Sequence, residues 1–140
     1  MSEVGSPPPL TQIENRVQTI TPGTARGRLI GGNLTVMTAI LGSPYVPSLD
    51  GAILFLEDVG EDLYRVDRMF TQLALAGVLQ KARAVIWGTC SECEPGEGFG
   101  SLTIGDILDD HVRLGRPVAL KVAATSSARA TASVVRHMSK

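Results

Sequence analysis

The feature that most constrains this chain is a pair of short apolar runs, "AILFLED" at 52–58 and "ARAVIWG" at 82–88, separated by one amphipathic segment. Each run is bounded by turn residues and is too short for a buried helix, so each reads as a buried strand. From Asp62, apolar residues recur at Leu63, Val66, Met69, Phe70, Leu73 and Ala76. That is the i, i+3, i+4 spacing of a helix with one apolar face, and Gly77 is placed to end it.

The flanking sequence continues the alternation. "RVQTI" (16–20) and "ARGRLIGG" (25–32) read as short strands, and "NLTVMTAILG" (33–42) as a helix with Asn33 as its N-cap and Gly42 as its stop. "SLTIGDILDDHVRLG" (101–115) places Thr103 and Asp106 at capping-box spacing ahead of an apolar face of Ile104, Ile107, Leu108 and Val112. "PVALKV" then begins one more strand. The predicted fold class is α/β, with a mixed sheet, helices, and antiparallel or irregular pairing near the start. One core suffices for 140 residues. Residues 1–15, with "GSPPPL", read as a linker-like segment, and residues 16–122 as the domain. Residues 123–140, rich in Ala, Ser and Thr and free of acids, read as an atypical, disordered tail.

Composition narrows the function. With net charge −1 and 19% charged residues there is no basic excess to neutralise phosphates, so nucleic acid is not an expected partner. No apolar run approaches the ~20 residues that span a bilayer, and "MSEVGSPPPL" lacks the basic start and apolar centre of a signal peptide. The chain is expected to be soluble and cytoplasmic, without a membrane partner. Cys90 and Cys93, the two cysteines, stand in "GTCSECEPGEG". One C-x-x-C lacks the four ligands of a zinc site, and here it reads as two reduced cysteines in a loop beginning at Thr89.

No G-x-S-x-G elbow, S-x-x-K or P-loop occurs, so no activated serine is visible. "GGN" at 31–33 reads as a close backbone approach rather than a phosphate cradle. His111 falls at the edge of a helical apolar face and reads as a packed, hydrogen-bonded side chain; His137 lies in the tail, and neither reads as a base. Glu57 differs, because a carboxylate at the carboxyl end of a buried strand stands where ligands and catalytic groups collect in α/β sheets. Burial disfavours its charge unless a partner is near, and that partner is either structural or catalytic. Asp58, Glu61 and Asp62 read as acids complementing the dipole of the following helix, with Arg65 and Arg68 in reach for surface pairs.

The runs "GRLIGGNLTVMTAILGSPYVP", "ILFLEDVGEDLYRVDRMFTQLALAGVL" and "IWGTCSEC" resemble the C-terminal domain of the LD-carboxypeptidases, from about Gly23 to Val122. This serine peptidase family includes the microcin-immunity peptidases. The resemblance implies a swivelling β/β/α-type fold and a cytoplasmic, two-domain, usually homodimeric hydrolase. Its activity would remove the terminal D-alanine of murein-derived tetrapeptides with a Ser, Glu, His triad and no metal or other cofactor. The first acid of "LED" matches the triad acid, which makes Glu57 the catalytic candidate. The Ser and oxyanion hole would belong to an N-terminal domain, for which only about twenty residues precede the match. A Gly-His-Gly motif is expected after "PVALKV", and "AATSSARATAS" stands there instead. That break in composition fits a frameshift or a misplaced gene end. The expectation is a truncated domain that is inactive alone; the alternative is a non-catalytic module docking on an intact paralogue or a separately encoded N-terminal half.

Overall fold

The computed structural model describes residues 17–95, 100, 102–115 and 118–122. The elements follow in the order β1 (Val17–Thr21), β2 (Leu29–Asn33), α1 (Leu34–Ile40), β3 (Ile53–Val59), α2 (Leu63–Leu75), α3 (Val78–Lys81), β4 (Ala84–Ser91), α4 (Ile104–Gly115) and β5 (Val118–Val122). They build one five-stranded sheet in the order β1-β5-β4-β3-β2. β2, β3, β4 and β5 run parallel, and β1 closes the edge antiparallel to β5, as the sequence led us to expect of the start of the chain.

This topology decides where the core sits. Each parallel step needs a crossover, crossovers take one hand almost without exception, and three steps in the same direction therefore lay their helices on one face. A buried cluster among the described residues confirms it: Leu54 and Leu56 of β3 and Val85 and Trp87 of β4 meet Leu34 and Met37 of α1, Val66, Phe70 and Leu73 of α2, and Ile107, Leu108 and Val112 of α4. Phe70 and Trp87 are packed ring to ring at 5.5 Å. The opposite face, which carries Phe55 and Glu57, bears no helix among the described residues.

The local signals act as physics dictates. Asn33 is the N-cap of α1, its Oδ1 accepting from the Val36 amide at 3.0 Å, and Gly42 follows the C-cap in the left-handed region. Thr103 and Asp106 form a reciprocal capping box, with the Thr103 amide donating to Asp106 Oδ2 at 2.9 Å and the Asp106 amide to Thr103 Oγ1 at 3.2 Å. All five buried side chains of α2 are ones the helical spacing marked, whereas Ala76 is an exposed C-cap.

Some boundaries differ from expectation. β2 starts at Leu29, four residues after the expected Ala25. The short α3 was not foreseen, because Gly77 at φ 74° ends one helix and at once begins another. β4 runs on to Ser91 rather than ending at Gly88, and Cys90 and Cys93 are not reduced loop thiols but a disulfide. The sequence reading missed this because three-residue spacing only permits a bridge; it takes the strand end and a turn at Glu92 to bring the sulfurs together. The proposed linker 1–15, the tail 123–140 and His137 lie outside the described residues.

Candidate functional site at the carboxyl end of the sheet

Asn33 ends β2, Glu57 and Asp58 lie near the end of β3, and Gly88 to Ser91 end β4, so three parallel strands deliver their last residues to one edge. β3 alternates: Leu54, Leu56 and Asp58 point to the helices, and Phe55 and Glu57 point away. Two adjacent carboxylates therefore meet opposite environments.

Asp58 is 2% exposed and is saturated with donors. Its Oδ1 accepts from Asn33 Nδ2 at 3.0 Å and from the Val59 amide at 2.9 Å; its Oδ2 accepts from the Thr35 amide at 3.0 Å and the Thr35 hydroxyl at 2.8 Å. The four donors replace the water that burial removes and tie the end of β3 to the first turn of α1. The expectation that Asp58 complements the following helix is thus corrected: it serves the preceding one. The Thr35 hydroxyl has one proton, and the shorter contact to Asp58 takes it over the 3.3 Å approach to Glu61 Oε1. Glu61 and Asp62 do face Arg65, at 4.0 and 3.6 Å; Arg68 joins no ion pair among the described residues.

Glu57 is half-buried and makes no hydrogen bond or ion pair with any described residue. The internal partner that its burial suggested belongs to Asp58 instead. Two local features leave space around Glu57. The β3–β4 register slips between the pairs Leu56–Trp87 and Asp58–Cys90, so Gly88 and Thr89 together stand opposite Glu57 alone. Such a bulge bends its strand and re-aims the side chains beside it. Gly88 also presents no side chain: a Cβ there would meet the Phe55 ring at 3.0 Å and the Glu57 Cβ at 3.3 Å. Gly88 was not singled out in the sequence, although a glycine closing an apolar strand run is a signal of close approach.

The remaining candidates lie elsewhere. His111 Nε2 sits 2.7 Å from Asp67 Oδ1 and stacks on Phe70, so the packed role expected of it holds, on the helix side of the sheet. "GGN" is strand, and its close approach is real: a Cβ on Gly31 would overlap the Phe55 carbonyl oxygen. A cavity of about 190 Å³ between the loop after α1 and the end of α2, lined by Leu41, Val46, Leu49, Ala76 and Val78, lies at the opposite, amino end of the sheet. Among the described residues, no three His, Cys, Asp or Glu side chains gather as a metal site requires.

Residues 26–136 match the LD-carboxypeptidase C-terminal domain, and the chain belongs to that family. A Synechocystis protein named as a carboxypeptidase is 46% identical over 97 residues, which cover 69% of this chain and 32% of that protein. The microcin C7 self-immunity protein MccF of Escherichia coli, solved in complex with aspartyl sulfamoyl adenosine, has the same fold with a TM-score of 0.66. It is 30% identical over 76% of this chain and 31% of its own. The muramoyltetrapeptide carboxypeptidase of Oxalobacter formigenes superposes with a TM-score of 0.62 at 28% identity, covering 76% of this chain and 38% of that one. The chain spans about a third of the length of the relatives it matches.

Proposed function

We propose that this chain is the Glu-supplying C-terminal domain of a serine LD-carboxypeptidase, acting on murein-derived tetrapeptides in the cytoplasm to release the terminal D-alanine. Glu57 is its catalytic acid. The observation that carries this reading is the contrast within one strand: Asp58 is fully engaged by four donors, while Glu57 stands half-buried beside a bulge with no described partner. An acid in that state is ready to accept a hydrogen bond from the Nδ1–H of an imidazole while staying ionised. There it would hold the tautomer in which Nε2 takes the proton of a serine hydroxyl, and it would stabilise the imidazolium that forms.

The 140 residues contain neither a nucleophile elbow nor a Gly-His-Gly motif. Serine, oxyanion donors and histidine are accordingly assigned to protein outside these residues, and the chain alone is expected to be inactive. The test is D-alanine release from a murein tetrapeptide by the purified chain, with and without the product of the upstream reading frame. Activity that appears on mixing and disappears in Glu57→Ala is the expected result. A folded chain that stays silent in both conditions would overturn the catalytic reading in favour of a docking module.

A further inference from the structure

We infer that Cys90 and Cys93 form a reversible dithiol–disulfide switch that sets the order of the segment joining β3 to α2, next to Glu57. The bridge closes a four-residue turn at the end of β4. Inside it, Glu92 adopts φ 57°, a left-handed conformation that L side chains enter at a cost and hold when the surroundings enforce it. The closed turn and the residue that follows it present one carbonyl each to the neighbouring connection. Ser91 O accepts from the Gly60 amide at 2.7 Å, and Glu94 O accepts from the Leu63 amide at 2.8 Å, with Asp62 and Glu94 paired as a bridge. The glycine three residues beyond Glu57 is thus anchored inside the bridged turn, and the first turn of α2 on the residue directly after it.

The size of the ring says what the bond is for. A disulfide constrains an unfolded chain more the longer the loop it closes, though only logarithmically, and a four-residue ring stands at the low end of that scale. Its effect is local. Both cysteines are only partly buried against the helix-side core, which leaves the bridge open to thiol exchange. The co-reactant is a low-molecular-weight disulfide such as glutathione disulfide. One cysteine thiolate attacks it, forming a mixed disulfide and releasing one thiolate. The second cysteine thiolate then attacks the protein sulfur of that mixed disulfide, closing Cys90–Cys93 and releasing the second. Two electrons pass from the cysteines to the reagent, and the two released thiolates take up the two cysteine protons.

The test uses the full chain equilibrated in reduced or oxidised glutathione, quenched with an alkylating reagent and followed by mass spectrometry and amide hydrogen exchange. Two alkylated cysteines under reducing conditions and none under oxidising conditions are expected. The Gly60 and Leu63 amides should exchange about tenfold faster in the reduced form, while the Thr35 amide, held by Asp58, stays unchanged. Cys90→Ser with Cys93→Ser should resemble the reduced protein in both buffers. Alkylation of both cysteines under oxidising conditions, a stable mixed disulfide, equal exchange in the two states, or an equal rise at all three amides would each overturn the inference. The readout is independent of peptidase turnover, so its failure and that of the triad assignment are distinguishable.

Discussion

The two faces of β3 are made from one stretch of seven residues and have opposite chemistry. On the helix side, Leu54, Leu56 and Asp58 are buried, and the polar member has every lone-pair direction engaged by a named donor. On the other side, Ile53 is buried at the start of the strand, but Phe55 and Glu57 are half-covered, and Glu57, opposed by a bulge and a glycine, makes no hydrogen bond to a described residue. A buried carboxylate is tolerated only when donors replace its water, so Asp58 belongs to the architecture, and Glu57, without a described partner, is the candidate for chemistry. Sequence proximity says nothing about which is which.

Substitutions can break this comparison, the largest effect first. Phe70→Ala, in the helix-side core at 0% exposure, should cost about 3 to 5 kcal/mol in urea unfolding. Phe55→Ala, on the half-covered face, should cost under about 2 kcal/mol. Equal costs would mean that the second face is as tightly packed as the first. Asp58→Ala leaves the Thr35 amide and Asn33 Nδ2 without their acceptor and should cost about 3 kcal/mol, measured in the same way. Glu57→Gln should move the unfolding free energy by no more than about 0.5 kcal/mol. In the reconstituted peptidase, the same change should lower kcat about 10⁴-fold, as expected for a triad acid that fixes the histidine tautomer. Were Glu57→Gln to destabilise as much as Asp58→Ala, the division between the two acids would fall.

The smallest effect lies at the rim of the helix layer. The Asp106 carboxyl is held below its ordinary pKa first by the Thr103 hydroxyl and then by the Thr103 amide. A carboxylate depressed in the folded state contributes stability above its unfolded pKa of ~3.9 and loses it as pH falls through the folded value. The stability difference between wild type and Asp106→Asn should therefore be full at neutral pH, shrink below about pH 4 and vanish in stronger acid. A difference that stays constant down to pH 2 would assign the cap's worth to geometry alone.

Local pattern determined much of this protein. The buried strands, the face of α2, the Asn33 cap, the Thr103 and Asp106 capping box and the packed role of His111 were all legible, because each depends on spacing within a few residues. The family's motifs likewise made Glu57 the candidate. Only the tertiary structure decided the rest. That Asp58 caps α1 from twenty-three residues away, that Cys90 and Cys93 meet, and that Gly88 and Thr89 share the place opposite Glu57 follow from strand order and register. Those are relations between segments, set by how the sheet assembles, and no periodicity within one segment encodes them.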